Sequence, residues 1–144
     1  MNKLIICRGI PASGKTFWAK KWVLEDPEHR VRINQDDIRL MLGKYWVPSR
    51  EKLVQEIQFD AIVEALSRGF NVVIDNTNLN KKVLDQFDRL IKTYEDYEIE
   101  YKDFFDTSLS VCIERDKNRD LQVTEKVIRS FYNNYKDIYP LNGR

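Results

Sequence analysis

Histidine occurs once in this 144-residue sequence, at His29, and cysteine only twice, at Cys7 and Cys112. The cysteines form no C-x-x-C pair and no metal-ligand spacing. Each sits among apolar residues, so both read as small core residues of a reduced, cytoplasmic protein. His29 lies beside Pro27 and Glu28 in a turn and reads as an exposed residue without a chemical role. Glycine and proline number five and four, and no stretch rich in Pro, Gly or Ser marks a linker. The first apolar run, Leu4 to Cys7, is broken by Arg8, far short of a signal-peptide core or a membrane span. There is no internal repeat and no low-complexity segment. Charge of one sign is missing as well: 24 basic residues against 23 acidic ones give a net charge of +1. Non-specific coating of nucleic acid or acidic lipid runs on an excess of Lys and Arg, so that function is excluded and any polyanion must be met locally.

The charge is uneven along the chain. Residues 1–54 carry a net +5, residues 55–111 a net −6 and residues 112–144 a net +2. The length suits one compact domain over residues 1–144 with a real core. Within it, apolar runs of strand length alternate with helical patterns, the sequence form of βαβ units around a parallel sheet. Strands are expected at Leu4–Cys7, Val31–Ile33, Asn71–Asp75 and Tyr97–Phe105. Helices are expected from Phe17 to the stop at Pro27, from Asp36 to Leu42, from Arg50 to Arg68, from the cap at Asn80 to Tyr94, from Ser108 to Asn118 and from Glu125 to Tyr139. In the helix over 50–68, Leu53, Ile57, Ala61 and Ala65 are expected to form the buried face. The fold is therefore an α/β fold of about four parallel strands, with helices on both faces. Ligands of such sheets bind beyond the carboxyl ends of the strands.

The polar residues expected at that edge carry the chemistry. Gly9-Ile10-Pro11-Ala12-Ser13-Gly14-Lys15-Thr16 fits G-x-x-x-x-G-K-[ST] between an apolar strand and a helix. Its glycines let backbone N–H groups wrap phosphate oxygens, Lys15 supplies a point charge near the β- and γ-phosphates, and the Thr16 hydroxyl is placed for Mg²⁺. A nucleoside triphosphate, ATP, is the expected cofactor. After the second strand, Asp36 and Arg39 share a helical face while Asp37 points about 100° away. Asp36 fits a general base for an attacking hydroxyl, with Arg39 as an anion clamp; equally, Asp36 fits a helix cap and Arg39 a surface partner. Asp75, Asn76, Thr77 and Asn78 end the third strand. Asp75 stands where a carboxylate would orient the Mg²⁺ shell or an arginine, and turn chemistry is the competing account. Arg115 and Arg119, at i and i+4, fit a lid whose arginines reach over the nucleotide, or else a solvated helix end paired with Asp116 and Asp120. Tyr45 and Trp46 suit either stacking on nucleobases or packing on the rim of the fold.

The P-loop with Pro11 inside it and Trp18 after it, Asn34 to Arg39, Gln58-Phe59-Asp60, Asp75-Asn76-Thr77-Asn78-Leu79-Asn80 and Val127-Ile128-Arg129-Ser130-Phe131-Tyr132 together resemble a known family. From Leu4 to about Tyr139 the chain resembles the kinase domain of polynucleotide 5′-hydroxyl kinases, end-healing enzymes of phage, bacterial and animal kinase–phosphatase proteins. The resemblance implies a P-loop kinase fold with a lid and a transfer of phosphate from ATP to the 5′-OH of DNA or RNA. It implies that Lys15 and Thr16 hold the phosphates and Mg²⁺ and that Asp36 is the base. Arg39 would bind the phosphate after the first acceptor nucleotide, and Asp75 and Thr77 would serve the acceptor side. Arg119 would meet the transferring phosphate, with Arg115 nearer the adenine. The chain departs from the family at Gln35, where several members have Arg, and at Thr124, where proline is familiar. Members also differ on whether the carboxylate stands at position 75 or 76. No D-x-D-G-T motif occurs, so no phosphatase domain is expected. Two other readings stay open: a kinase of a small hydroxylated molecule such as a nucleoside, sugar or antibiotic, and a nucleotide-binding module without phosphotransfer.

Overall fold

Four consecutive apolar residues, Leu4–Cys7, are the buried centre of strand β1 (Asn2–Arg8). Their continuity reflects a strand covered on both faces. The computed structural model describes all 144 residues, Met1–Arg144. Along the chain β1 is followed by α1 (Lys15–Glu25), β2 (Arg30–Ile33), α2 (Gln35–Met41), a 3-10 turn at Pro48–Arg50, α3 (Glu51–Ser67), β3 (Asn71–Asp75), α4 (Lys81–Ile91), β4 (Tyr97–Asp103), α5 (Leu109–Lys117) and α6 (Glu125–Tyr135). The four strands form one sheet in the order β2-β3-β1-β4, and every pairing is parallel. No helix is long and apolar enough to cross a membrane.

Strand alternation divides the core. Leu4 and Ile6 of β1 join Val72 and Ile74 of β3 on one face, beneath Ile62 and Leu66 of α3 and Leu84 and Phe87 of α4. Ile5, Cys7 and Val73 point to the other face, against Ala19 and the flanking Trp18 and Trp22 of α1. A third cluster, with Ile10, Leu109, Cys112, Ile113 and Ile128, seats α5 and α6 beside the loop that follows β1. Helices thus cover both faces, as expected for this pattern of alternating strands and helices. Cys7 and Cys112 are free and fully buried. Burial pushes the Cys7 thiol up to about 12, with the Asp75 carboxylate adding to the effect.

The elements fall where the patterns place them, with corrections at ends and at one face. The face of α3 turned to the sheet is Val54, Gln58, Ile62 and Leu66, one position on from the expected Leu53, Ile57, Ala61 and Ala65, and Leu53 is 46% exposed. Gln58 hides this ladder from a hydrophobicity pattern. It is buried because its Oε1 accepts a 2.7 Å hydrogen bond from Asn76 Nδ2, which removes the penalty for an unpaired buried amide. The last helix ends at Tyr135 instead of Tyr139, although Tyr139 N–H still donates to the Tyr135 carbonyl. Beyond that turn Tyr139 Oη donates to the Leu79 carbonyl, anchoring the C-terminal segment. Helix α4 likewise stops at Ile91 and finishes in turns at Thr93 and Tyr94.

Candidate functional site

The first side of the site is the loop between β1 and α1. Helix α1 begins at Lys15 with Gly14 before it at φ 109°, and Ala12 stands at φ 65°. These left-handed positions turn the backbone around the end of Lys15. Its Nζ donates to the carbonyls of Gly9 (3.0 Å) and Ile10 (2.7 Å) and to Ser13 Oγ (3.3 Å). Gly9 leaves no space for a side chain, since a Cβ there would come within 2.6 Å of Ser13 Oγ and 3.2 Å of Phe104 Cβ. The loop therefore holds its cradle shape around its own ammonium.

Burial pulls the Lys15 ammonium down to about 8 from the usual 10.5, against the opposing charge of Asp75. Below pH 8 the group is charged in folded and unfolded chains alike, and the folded chain bears the full cost of burying it. Between pH 8 and 10.5 the folded chain releases the proton first, so nucleotide-free stability gains from this group as pH rises. Nucleotide binding loses its point charge over the same window. ATP binding is expected to weaken on the order of tenfold from pH 7.5 to pH 9. Calorimetric titration checks this, with Lys15→Met showing no such slope; a wild-type affinity flat across that range would refute it.

The second side is α2. Asn34, not Asp36, caps this helix: Asn34 Oδ1 accepts from Asp37 N–H at 2.8 Å, which decides against the capping account of Asp36. Asp36 is free to face inward, where its Oδ1 accepts from Arg39 Nη1 at 2.7 Å and from Tyr45 Oη at 2.9 Å. Its Oδ2 takes no hydrogen bond from the protein. Burial, with the Asp36 charge next, pushes the Tyr45 phenol up to about 12, so it stays a donor. Arg39 has further partners that local patterns did not suggest. Glu51, at the start of α3, accepts from Arg39 Nε (3.0 Å) and Nη2 (2.6 Å), and Gln35 Oε1 accepts from Nη2 at 3.3 Å. Of five guanidinium N–H groups, one on Nη1 remains unpaired. Tyr45 and Trp46 flank this guanidinium, their ring centroids 5.9 and 5.7 Å from its carbon.

The third side is the end of β3. Asp75 is buried and pairs with Cys7 in register, at the root of the phosphate loop. Its Oδ2 accepts from Arg32 Nε at 2.8 Å, and Arg32 Nη1 donates to Asp37 Oδ2 at 2.7 Å. The hydrogen bond from Asn34, with the Arg32 charge, holds the Asp37 carboxyl below its usual range. Arg32 thus ties β3 to α2. Sequence patterns passed over it, and its only signal is a charged residue inside a short apolar strand. The other polar residues divide their work. Asn76 Oδ1 accepts from Gln35 N–H, and the Thr77 carbonyl accepts from Gly9 N–H. Asn78, at φ 49°, donates to the carbonyls of Cys7, Ile74 and Asn76. Turn chemistry therefore accounts for part of the bonding of Asn78, whereas the Asn76 side chain bonds to the distant Gln35 and Gln58; Asp75, Asn76 and Thr77 all line the cavity.

These sides enclose a cavity of about 590 Å³, with Lys15, Thr16, Asp36, Arg39, Asp75, Thr77 and Arg119 all in its wall. Pro11 and Ala12 line it too, as do Tyr45, Trp46 and Glu51. Arg119 arrives from the loop between α5 and α6, and its guanidinium has no hydrogen-bond or ionic partner in the protein. Arg115 is not in the wall: it lies behind the phosphate loop, its Nη1 3.6 Å from where a Cβ on Gly14 would be. Gly9 and Ile10 by their carbonyls and Ser13 by its Oγ hold the Lys15 ammonium, Gly14 turns the backbone, and none of the four is in the wall. No group of three or more His, Cys, Asp or Glu side chains stands close enough to hold a metal. That donor set suits a Mg²⁺ brought by phosphates and held by one protein hydroxyl, Thr16, with waters filling the rest.

Comparison with known proteins agrees with this architecture. A chain of Autographa californica nuclear polyhedrosis virus named "Putative bifunctional polynucleotide kinase/RNA ligase" is 26% identical over 133 residues, 82% of this chain and 18% of its own length. An L-seryl-tRNA(Sec) kinase of Methanococcus maripaludis is 26% identical over 137 residues, 92% of this chain and 52% of its own. The solved "Structure of the Pnkp1/Rnl/Hen1 RNA repair complex" superposes with a TM-score of 0.75 and 24% identity, over 96% of this chain and 46% of that one, which shows a shared fold. The chain thus spans about half, or much less, of the length of these relatives. The AAA domain family matches residues 4–138, from the first residues of β1 past the end of α6, and the chain, with its P-loop kinase fold, belongs to that family.

Proposed function

We propose that residues 1–144 form a single kinase domain that transfers the γ-phosphate of ATP to the 5′-OH end of DNA or RNA, in the healing of broken ends. The observation that carries this reading is the joined pair Asp36 and Arg39, in the wall of the same cavity as Lys15, Thr16 and Arg119. Lys15 leaves its carbonyl partners for the β- and γ-phosphates. Thr16 is the group that would hold Mg²⁺, with waters filling its other positions, and the bound ion would supply positive charge to the phosphate oxygens; Asp75 and Thr77 serve the acceptor side. Asp36 Oδ2, the oxygen without a protein partner, accepts the proton of the 5′-OH as its oxygen attacks the γ-phosphorus and ADP leaves. The proton then passes from Asp36 to solvent. Arg39 offers its unpaired Nη1–H to the phosphate that follows the first acceptor nucleotide, and Arg119 meets the phosphate in flight. The partner is then a nucleic-acid end, met in the cytoplasm. The chain's near-neutral charge suits a grip on the last nucleotides alone.

Arg39→Ala is expected to raise KM for an oligonucleotide carrying that phosphate by about 10- to 100-fold, the worth of one charge-assisted hydrogen bond. An acceptor lacking the phosphate should show little change in KM. Equal KM values for the two acceptors in wild type would refute the clamp.

A second reading, a kinase of a small hydroxylated molecule, draws on the match to a kinase that acts on a seryl group. A panel of acceptors with labelled ATP separates the two. Transfer to 5′-OH oligonucleotides and none to nucleosides, sugars or aminoglycosides supports the proposal; the reverse pattern sinks it.

A further inference from the structure

The loop that delivers Arg119 is closed at its base by a residue that no part of the reaction uses. Asp116, on the last turn of α5, is 1% exposed. Its Oδ1 accepts from Val123 N–H and its Oδ2 from Thr124 N–H, both at 2.9 Å. Those two N–H groups precede α6, with Thr124 at its N-cap position. A single carboxylate therefore joins the last turn of α5 to the start of α6 and closes the loop between them. Within the loop, the Asp116 carbonyl accepts from Arg119 N–H at 3.1 Å, and Gln122 Nε2 donates to the Lys117 carbonyl at 2.9 Å. Arg119, Gln122 and Val123 all line the cavity.

Thr124 makes this closure unusual. It stands at φ 87°, ψ 153°, a region that β-branched residues rarely enter and that persists only where surrounding bonds fix it. The three non-glycine residues with positive φ are Ala12 in the phosphate loop, Asn78 after β3 and Thr124. Ala12 lines the cavity, and Asn78 and Thr124 directly follow Thr77 and Val123, which line it too. A proline at position 124 would have neither the N–H that Asp116 accepts nor access to this φ. Here the bond to Asp116 takes the place of a ring in fixing how the chain enters α6.

We infer that Asp116 is a positioning residue for phosphate transfer: its carboxylate, latched onto the backbone of Val123 and Thr124, fixes the loop that holds Arg119 over the cavity. This rests on the role proposed for Arg119. If the arginine must meet the transferring phosphate, loosening its loop costs rate and leaves nucleotide binding to the phosphate loop. A displacement of about 1 Å at such a group is worth about 100-fold in kcat.

The test measures kcat and KM for ATP with a 5′-OH oligonucleotide, in Asp116→Ala, Asp116→Asn, Arg119→Ala and the double variants. Asp116→Ala should lower kcat about 100-fold with KM for ATP within about threefold. Added to Arg119→Ala it should lower kcat no further, because the two act through one group. Asp116→Asn keeps one acceptor oxygen and should recover part of the rate. Amide exchange in the wild type should be slow at Val123 and Thr124, and fast in Asp116→Ala. If Asp116→Ala fails to fold, Asp116→Asn, which replaces one of the two acceptor oxygens, should lower kcat with the same non-additivity toward Arg119→Ala. Losses that simply add, or a wild-type rate in Asp116→Ala beside an impaired Arg119→Ala, would overturn the latch alone. Full activity in Arg119→Ala would overturn the arginine's role and this inference with it. Fast wild-type exchange at both amides refutes the latch whatever acceptor the enzyme takes.

Discussion

Asp36→Asn is expected to lower kcat for transfer to a 5′-OH oligonucleotide by 10²- to 10⁴-fold, the usual worth of a general base, while ATP affinity stays within about twofold. The substitution isolates the proton acceptor from its setting. Asparagine keeps an oxygen at the Oδ1 position, so Arg39 Nη1 and Tyr45 Oη retain their acceptor. What changes is Oδ2, replaced by an NH₂ group that cannot receive a proton. The phosphate loop is untouched. The expected pattern is thus a fall in kcat without a matching fall in nucleotide binding. Rapid chemical quench and nucleotide titration measure the two quantities. A nucleotide-binding module without phosphotransfer predicts no activity to lose, so a wild-type enzyme that transfers phosphate and an Asp36→Asn variant that does not would end that reading. Unchanged kcat would instead remove Asp36 from the reaction.

Arg119→Ala should lose on the order of 10³-fold in kcat, the lower end of what an arginine supplies to a phosphoryl transition state. The contrast with Arg39 supports so large a figure. Arg39 is held by Glu51, Asp36 and Gln35, so part of its charge is already answered by carboxylates. Arg119 has no such partner in the cavity wall, and its whole charge is available to the reaction. Because a guanidinium spans two phosphate oxygens with a rigid fork, Arg119→Lys should restore only a small part of the rate. Stopped-flow measurement of a single turnover reads the step directly. Comparable rates for Arg119→Ala and wild type would leave the cavity without its transition-state charge.

What could be read from the sequence was what lies close together along it. The phosphate loop is one continuous segment whose backbone does the binding, and α2 presents Asp36 and Arg39 by helical periodicity alone. The strand boundaries followed from runs of apolar residues. The pairings that give these groups their character span longer separations. Arg32 meets Asp75 across 43 positions and Arg39 meets Glu51 across 12, and no periodicity announces either contact. Gln58 shows the same limit in the core, since a hydrogen bond to Asn76 from a different element is what makes a polar residue belong on a buried face. Thr124 is a departure from the familiar proline whose compensation, the Asp116 carboxylate, lies eight positions earlier.

The parallel order of the sheet has an evolutionary consequence. All crossovers from helix back to strand, at residues 26–29, 68–70 and 92–96, contribute nothing to the cavity wall. Those turns are free to drift, lengthen or accept a fused partner without touching the reaction. The opposite rim has far less latitude, because the connections after β1, α2, β3 and α5 all carry residues of the cavity wall. The fold therefore separates the edge where an insertion would leave the cavity wall intact from the edge where it would displace it.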